Sequence, residues 1–337
     1  MSLDLAVIIV SWNVRELLEA CLASVYQSLE RSNLGGEVWV VDNASTDGSA
    51  EMVRERFPQA HLLTNETNIG FAAANNQALR ELGYGIGDRG YSPIPYPVPP
   101  RHILLLNPDT VVVGDALATL VRFLDENPSV GVAGAKLVHP DGRLQHSAFA
   151  FPTLAQAFLD FFPLHHRLLE SRLNGRYPRR LYERGKPFPI DHPLGAALMA
   201  RGEAIREVGL LDERFFIYCE EIDWCMRMKK AGWEVYCVPR AEIVHHVARS
   251  TGQVRDQMFI ELWQSRLLLF EKHYGSFYRW AMRHIVRLGL WAEMRRAKAA
   301  HRRGEISDDA LSSRLKACRQ VKEMFSGGNR PCSSLNC

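Results

Sequence analysis

The sequence predicts an α/β protein with a mostly parallel, three-layer sheet and a C-terminal helical appendage. Apolar runs typical of strands buried on both faces recur at 5–10, 37–41 and 103–106. Helical periodicity fills the stretches between these runs, and such alternation favours a parallel sheet covered on both faces. From about residue 251 onward the pattern is helical and lacks strand signals.

Each element follows from its local pattern. After the first strand we expect a helix whose apolar stripe consists of Leu18, Cys21, Leu22, Val25 and Leu29. The second strand ends at Asp42, and the composition of 42–49 is typical of a loop and helix cap. Later helices are predicted up to residue 57 and over 71–82, 115–124 and 220–231, and later strands over 61–63, 193–200 and 243–244.

A proline-rich segment interrupts this alternation over 83–101, with five prolines between Pro93 and Pro100. We interpret it as a surface insertion with polyproline character. Residues 85–90 also match the pattern G-x-G-x-x-G. A dinucleotide-binding fingerprint must follow a strand and open a helix. Because this match follows a helix and precedes prolines, the sequence argues against a dehydrogenase.

These patterns predict two domains. An α/β domain is expected over 1–250, a helical region over 251–326 and a disordered tail over 327–337. Within the first domain, 149–190 forms a segment rich in aromatic residues and arginines.

Composition limits the class of protein. The formal net charge of +3 is too small to predict nucleic-acid binding. No apolar stretch reaches the ~18 residues that span a bilayer, and the first residues lack a secretory signal. The seven cysteines are odd in number and lack C-x-x-C spacing. This pattern suits a reducing cytoplasm better than a disulfide framework or a zinc site.

Polar residues follow the predicted strands at the edge where open α/β sheets bind ligands. Asn107-Pro108-Asp109 comes directly after one strand. A carboxylate there can hold Mg²⁺ or Mn²⁺, which takes other ligands from substrate phosphates, although a plain turn explains the same residues. Asp42 can accept hydrogen bonds from a nucleoside, whereas Asp47 fits a helix N-cap as well as a ligand contact.

Two further groups are candidates for chemistry. Glu220, Glu221 and Asp223 open a predicted helix after an aromatic run, so one carboxylate can act as general base towards a hydroxyl. The helix dipole alone also favours acids in a first turn. His245-His246 ends a predicted strand, where one imidazole can share a metal with Asp109. Paired histidines are, however, more often solvated or structural.

Five ordered blocks resemble a known family. They read AVIIVSWN, VVDNASTDGS, TNIGFAAANNQAL, LLLNPDTVV and the long block GLLDERFFIYCEEIDWCMRMKKAGWEVYCVP with a following IVHH. This order resembles the family 2 inverting glycosyltransferases of the GT-A fold, and within them the rhamnosyltransferase-like branch. The resemblance covers roughly residues 5 to 250.

The resemblance implies a role for each matched position. The donor would be contacted by Ser11, Asn13, Asp42, Asn43, Asp47, Asn68, Gly70, Phe71, Asn75, Asn107 and Asp109. Asp109 and His245 would hold Mg²⁺ or Mn²⁺, and Glu221 would be the catalytic base. On the acceptor side it implies Gly195, Tyr218 and Glu220, together with the segment 149–190.

Two positions depart from the family pattern. Asn107 replaces the first aspartate of the Asp-x-Asp metal motif, and Glu221 stands where an aspartate base is usual. Glu220 or Asp223 is therefore the alternative base.

The resemblance also implies the reaction. A sugar would move with inversion from a nucleotide-diphosphate donor, dTDP- or UDP-linked, with dTDP-L-rhamnose favoured. The acceptor would be a glycan or a polyprenyl-diphosphate-linked sugar in cell-surface polysaccharide synthesis.

The segment from Trp280 to Trp291, with the cations that follow it, predicts a basic helix with an apolar face. Such helices bind membrane surfaces, and the protein would then be cytoplasmic and peripheral on the inner membrane face. A helix packed on the first domain with a solvated basic side explains the same pattern.

Two other functions are compatible with an α/β nucleotide-binding sheet. A sugar-nucleotidyltransferase would carry a glycine-rich basic loop after the first strand, where this chain has Ser11-Trp12-Asn13. The substitutions at Asn107 and Glu221 leave a non-catalytic nucleotide-sugar or glycan-binding module open as an alternative, and the retained Asp109, acidic pair and His245 argue against it.

Overall fold

The computed structural model describes residues 4–85, 99–246 and 255–326. Most of the predicted proline-rich insertion and the whole predicted tail therefore lie outside the described residues. The described chain contains no helix that combines the length and apolar character of a membrane span.

Twelve strands are described. They are β1 Leu5–Ser11, β2 Gly36–Asp42, β3 His61–Thr64, β4 His102–Leu106, β5 Thr110–Val112, β6 Val130–Val138, β7 Leu144–Gln145, β8 Ala148–Phe149, β9 Phe188–Pro189, β10 His192–Pro193, β11 Ala197–Arg201 and β12 Glu234–His245.

The described helices alternate with these strands in the first part of the chain. They are α1 Arg15–Ser32, α2 Ser49–Arg56, α3 Phe71–Glu81, α4 Ala116–Glu126, α5 Leu154–Phe161, α6 His166–Leu169, α7 Arg179–Glu183, α8 Gly202–Val208, α9 Glu220–Lys230, α10 Arg255–His273, α11 Ser276–Arg302 and α12 Asp308–Met324, with a 3₁₀ turn at Arg172–Asn174.

The chain forms two compact units. The first comprises 1–150, 177–214 and 220–250, and the second comprises 151–176, 215–219 and 251–337. Residues 151–176 and 215–219, expected with the α/β domain, are thus grouped with the C-terminal helices.

The first unit contains one large sheet in the order β3-β2-β1-β4-β11-β6-β12-β5. Strands β3, β2, β1 and β4 are mutually parallel, as are β6 and β12. The predicted mostly parallel α/β sheet is confirmed. Strands β11 and β5 run antiparallel to their neighbours. The apolar pattern did not indicate this, because hydrophobic periodicity identifies a strand but not the direction in which it runs.

Alternate residues of the central strands face two different layers. Leu5, Val7 and Ile9 join the core formed with α1, α2 and α4. Ala6 and Ile8 are equally buried, and side chains alternate along a strand, so they face the opposite layer. The predicted α1 stripe is confirmed, since all of its members are buried: Leu18, Cys21, Leu22, Val25 and Leu29.

The predicted strand at 193–200 is wrong in its extent. The structure has β10 ending at Pro193 and β11 beginning at Ala197. Between them the Leu194 N–H donates to Ser147 O at 2.8 Å, so the chain leaves one sheet before joining the other. This break places Gly195 in a connection, where it takes part in the site described below.

The second unit is helical. Helix α11 packs against α5 and α12, and the core between them includes Phe161, Trp263, Val286 and Leu290. At the crossing of α11 and α5 the helix has Gly289, where a Cβ would lie 2.1 Å from Phe161 Cγ. The close approach of the two helices therefore requires glycine.

Candidate active site

The carboxyl ends of β1 and β2 bring two predicted site residues together. Ser11 and Asp42 are partners in the parallel register of these strands, so their side chains share one face of the sheet. Strand β4, on the other side of β1, ends just before Asn107. The three strand ends therefore meet at one edge of the sheet, as the sequence predicted.

Asp42 presents a buried and unsatisfied carboxylate oxygen. The side chain is only 4% exposed, and its Oδ2 accepts a hydrogen bond from Ser45 N at 3.1 Å. Within the described part of the chain, Asp42 Oδ1 and Ser11 Oγ have no hydrogen-bond partner. Because a buried polar atom without a partner is costly, this pair fits a ligand that donates hydrogen bonds.

Backbone strain marks the loops that follow β1 and β2. Asn13 and Ala44 have positive φ values of 54° and 67°, which is unusual for residues other than glycine. Asn13 Oδ1 accepts from Thr46 N at 2.7 Å, and Asn13 N donates to Ser45 Oγ at 3.0 Å. The ends of β1 and β2 are thereby tied into one structured loop.

An amide network joins this loop to the start of α3. Asn43 Nδ2 donates to Asn68 Oδ1 at 2.7 Å, and Asn68 Oδ1 also accepts from Gly70 N. Gly70 has φ of 89°, a conformation that favours glycine. Asn75 donates to Phe71 O at 2.8 Å, and its buried Oδ1 has no partner among the described residues.

Asp47 accepts hydrogen bonds at the starts of α1 and α2. Its Oδ2 accepts from Arg15 N at 2.9 Å, and its Oδ1 accepts from Ser49 N at 3.1 Å and from Ser49 Oγ. Partial burial acts to raise the pKa of Asp47, but these hydrogen bonds outweigh it and hold the pKa below its usual value. The N-cap of α2 is Gly48 rather than Asp47, so Asp47 holds the starts of α1 and α2 without being the N-cap, and donor contact by Asp47 stays a prediction.

The Asn107-Pro108-Asp109 turn is held by its neighbours. Thr110 Oγ donates to Asn107 O at 2.7 Å, and Cys21 Sγ lies 3.6 Å from the same oxygen. His246 N donates to Asp109 O at 2.9 Å. Asp109 is 6% exposed, so a carboxylate is fixed and largely desolvated directly beyond β4.

Asp109 and His245 lie together, 136 residues apart in the chain. His245 Nε2 is 3.3 Å from Asp109 Oδ1, and both side chains are buried. His245 Nδ1 lies 3.1 Å from Gln145 Oε1. If Nδ1–H donates to that amide oxygen, Nε2 turns its lone pair towards the Asp109 carboxylate. Two facing acceptors need a proton or a cation between them.

This donor set fits a divalent cation. An imidazole oriented by a second residue is the usual arrangement of metal-ligating histidines. Mg²⁺ is usually bound by one or two protein groups together with waters and substrate phosphates. Among the described residues no group of three or more His, Cys, Asp or Glu side chains is placed to hold a metal. Asp109 and His245 thus offer two donor atoms, and their role as metal ligands stays a prediction.

Sequence reasoning missed Gln145. It lies on the two-residue strand β7, which pairs with β6, and 100 residues separate it from His245. No local signal distinguishes this glutamine from others, because its role depends on the path of the chain between β6 and β8.

The acids of α9 have different surroundings. Glu220 is 5% exposed, and burial, reinforced by the charge of Glu221, raises its pKa well above the usual value. Asp223 is fully buried and accepts from Arg227 Nε at 2.9 Å. The Arg227 guanidinium also donates to Val208 O and Leu210 O, so Asp223 anchors the connection between α8 and α9.

Gly195 links Glu221 to the turn beyond β4. A Cβ at Gly195 would lie 3.6 Å from Glu221 Cδ. The next residue, Ala196, accepts from Asn107 N at 2.9 Å. Glu221, Gly195 and Asn107 therefore lie near one another in the first unit, with no side chain between the glycine and the carboxylate.

Tyr218 belongs to the segment 215–219 of the second unit. Tyr218 and Cys219 have positive φ values of 70° and 66°, and Ile217 O accepts from Ser265 Oγ at 2.7 Å. The backbone of this segment is thus strained, and a hydrogen bond from Ser265, a residue of the same unit, holds it in place. Its acceptor role stays a prediction.

Comparison with protein families and curated relatives agrees with this geometry. The model of "Glycosyl transferase family 2" matches residues 6–198. An N-acetylglucosaminyl-diphospho-decaprenol L-rhamnosyltransferase of Mycobacterium tuberculosis is 29% identical over 85% of this chain and 90% of its own length. The rhamnosyltransferase WbbL of Escherichia coli K12 is 25% identical over 48% of this chain and 61% of its own length.

Solved structures support the fold. A mannosyltransferase, PcManGT from Pyrobaculum calidifontis in complex with GDP-Man and Mn²⁺, aligns with a TM-score of 0.53 at 19% identity, over 97% of this chain and 85% of that one. GalNAc-T7 with UDP, GalNAc and Mn²⁺ aligns with a TM-score of 0.55 at 16% identity, over 74% of this chain and 44% of that one. These similarities confirm a GT-A-like α/β fold.

Proposed function

The chain belongs to the family 2 glycosyltransferases, and from this premise we propose that it transfers a sugar with inversion in a metal-dependent reaction at the carboxyl edge of its sheet. The observation that carries the proposal is the buried Asp109–His245 pair, with Gln145 on the far nitrogen of the imidazole. It lies next to the strand ends that present Ser11 and Asp42.

The donor nucleoside is assigned to the Asp42 corner. The unsatisfied Asp42 Oδ1 can accept from a nucleobase N–H, and Ser11 Oγ can donate or accept beside it. Asn13, Asn43, Asn68 and the glycine at 70 hold the loop around this position. The residues that shape the donor pocket would thereby bind and orient the donor, and would take no part in proton transfer.

The divalent cation would be held by Asp109 and His245. When bound, Mg²⁺ or Mn²⁺ supplies a positive charge that stabilises the departing diphosphate. Asn107, adjacent to this pair, is a neutral amide and contributes no charge to the site. Gln145 keeps the His245 ring in the orientation that turns Nε2 towards Asp109.

The base is assigned to Glu221. Burial and the neighbouring Glu221 charge raise the pKa of Glu220 and oppose its ionisation, which favours Glu221 over Glu220 as the base. Asp223 is committed to Arg227. We therefore assign Glu221 as the carboxylate that accepts the proton of an acceptor hydroxyl as that oxygen attacks the anomeric carbon.

The substrates are proposed from the named relatives. The Mycobacterium tuberculosis protein is an L-rhamnosyltransferase named for a diphospho-decaprenol acceptor, which supports dTDP-L-rhamnose as donor and a polyprenyl-diphosphate-linked sugar as acceptor. Such an acceptor lies in a membrane, so we place the reaction on the cytoplasmic side at the inner membrane face.

Isothermal titration of the purified protein with dTDP and UDP tests the donor site without requiring an acceptor. We expect nucleotide binding in Mn²⁺ that weakens at least tenfold in EDTA, in Asp109→Asn and in Asp42→Asn. The control is Asp115→Asn, an exposed aspartate before α4, which should bind as the wild type. Equal binding with and without metal, or unchanged binding in Asp109→Asn, would contradict the proposal.

A further inference from the structure

Helix α11 in the second unit carries an exposed aromatic stripe. Phe277, Trp280, Leu288 and Trp291 are 76%, 57%, 50% and 51% exposed. With about 100° per residue, these four positions and His284 fall within a sector of about 80°. The stripe runs for about 21 Å at 1.5 Å per residue. Large side chains in one contiguous exposed row mark an interaction surface.

The aromatic groups of this stripe are organised. Phe277 stacks on Trp280, with ring centroids 5.9 Å apart, and Trp280 meets His284 edge-on at 4.6 Å. The Arg295 guanidinium lies 4.7 Å from the Trp291 ring centroid. The opposite face of the helix is the one that packs, through Met282, Val286, Gly289 and Leu290. The stripe therefore contributes nothing to the core of the unit.

The excess of positive charge on α11 favours an anionic partner. Helix α11 contains seven Arg and Lys residues and one acid. That acid, Glu293, accepts from Arg296 and Arg314. Arg283 and Arg287 are exposed and lie within about 60° of the stripe. Towards the C-terminal end of the helix the same face continues with cationic side chains in place of aromatic ones, namely Arg295, Lys298 and Arg302.

A neighbouring segment repeats this composition. Leu164 and Leu173 are 67% and 56% exposed, and Arg167 and Arg172 between them are exposed as well. This segment follows α5, whose Phe161 packs at Gly289 and accepts from Arg296 Nη1 at 3.0 Å. Apolar side chains with arginines thus occur on two adjoining elements of one unit.

We propose that α11 docks on an anionic bilayer, with its aromatic stripe in the interface and its arginines on lipid phosphates. Tryptophan and arginine are the side chains suited to that boundary, since one is amphipathic and the other binds phosphate oxygens. A second copy of the chain would bring seven cations against seven, so self-association is disfavoured. The proposal does not rest on sugar transfer, because the surface lies on the helical unit and requires no substrate.

Vesicle flotation tests this proposal with the full chain. We expect binding to vesicles of phosphatidylcholine with phosphatidylglycerol, and at least tenfold weaker binding to phosphatidylcholine alone. Trp280→Ala with Trp291→Ala should lower the binding about tenfold at any salt concentration. Arg283→Glu with Arg287→Glu should lower it by about the same factor at low salt and less at high salt.

The control variant also replaces two arginines by glutamate, but at positions outside α11. Arg54→Glu with Arg122→Glu alters two exposed arginines of α2 and α4 and should bind as the wild type. Thermal unfolding of each variant checks that the fold is retained. The proposal is overturned if wild type fails to float with anionic vesicles, or if the α11 and control variants bind alike. A concentration-dependent dimer that the tryptophan variant abolishes would also overturn it, and would assign the stripe to self-association.

Discussion

Glu220 and Glu221 are consecutive acids whose surroundings separate their roles. Glu220 is buried, and its Oε2 has no hydrogen-bond partner among the described residues. Burial and the neighbouring Glu221 charge both oppose its ionisation. Of the two acids, Glu220 is thus the one whose ionisation the surroundings oppose.

The raised pKa of Glu220 makes stability depend on pH. With the folded-state pKa of Glu220 above its unfolded value, the folded protein holds a proton that the unfolded chain releases. This group thus lowers stability as pH rises from about 4.5 towards the raised pKa, by at most about 1.4 kcal/mol per pH unit. We expect Glu220→Gln to be more stable than wild type at pH 7 to 8, measured by urea unfolding.

The exposed Glu16 of α1 provides the matched control for this measurement. Glu16→Gln should leave the pH dependence unchanged. If Glu220→Gln follows the wild-type curve at every pH, the pKa of Glu220 is not raised in the folded state and the reason for preferring Glu221 over Glu220 as the base fails.

Gln145 is a positioning residue for His245. Its Oε1 is 3.1 Å from His245 Nδ1, and partners of this kind typically change metal affinity 10- to 100-fold when removed. We expect Gln145→Ala to weaken Mn²⁺ binding in the presence of nucleoside diphosphate about tenfold, measured by titration calorimetry. Gln27→Ala, an exposed glutamine on α1, should bind Mn²⁺ as the wild type. Unchanged affinity in Gln145→Ala would remove its positioning role.

At the scale of elements, helix packing sets what each position tolerates. Gly289 in α11 allows the close approach of Phe161 on α5. At a sterically open position inside a helix, replacing glycine by alanine stabilises the folded protein by about 1 kcal/mol. Here the added Cβ would overlap the ring, and overpacking costs typically about 1–3 kcal/mol, so the steric cost exceeds the propensity gain.

Thermal unfolding checks this balance. Gly289→Ala should lower the melting temperature, and adding Phe161→Leu should restore part of the loss by making room. At Gly275, the N-cap of α11, nothing lies within 4 Å of an added Cβ. Gly275→Ala should therefore lose only the N-cap preference for glycine over alanine and cost less than Gly289→Ala. A Gly289→Ala protein as stable as wild type would mean that the two helices separate without cost.

The sequence predicted the elements that have strong local signals. The parallel strands β1, β2 and β4 and the stripe of α1 are in place because buried strands and amphipathic helices have distinct periods. It did not predict the break of the chain at Gly195 or the two-residue strand β7 with Gln145. These depend on long-range pairing that no local pattern encodes.

Prediction of the site had the same limit. Asp42 and the Asn107-Pro108-Asp109 turn follow strands and were found from that position alone. That one imidazole of His245-His246 could share a metal with Asp109 followed from its strand-end position, and the family resemblance selected His245. The 3.3 Å approach itself requires β5 and β12 to pair, which no local pattern encodes. Asp47 accepts hydrogen bonds at the starts of α1 and α2, but the N-cap position predicted for it belongs to Gly48.

At the scale of the whole molecule, the chain divides its tasks between two units. The first holds the strand ends, the Asp109–His245 pair and the acids of α9. The second presents a basic and aromatic helix. Under the proposed function, the first unit would bind the donor, and the second would contact the bilayer that holds a lipid-linked acceptor.

The most direct test of the central claim is release of nucleoside diphosphate from a panel of nucleotide sugars, with Mn²⁺ and extracted lipid acceptors. We predict release from one donor, dTDP-L-rhamnose, that EDTA and Asp109→Ala abolish. Glu221→Gln should lower turnover by about 10²–10⁴-fold while retaining nucleotide binding, and the Asp115→Asn control should match wild type. Release that persists in Glu221→Gln, or binding of nucleotide sugar without release in the presence of acceptor, would contradict the account.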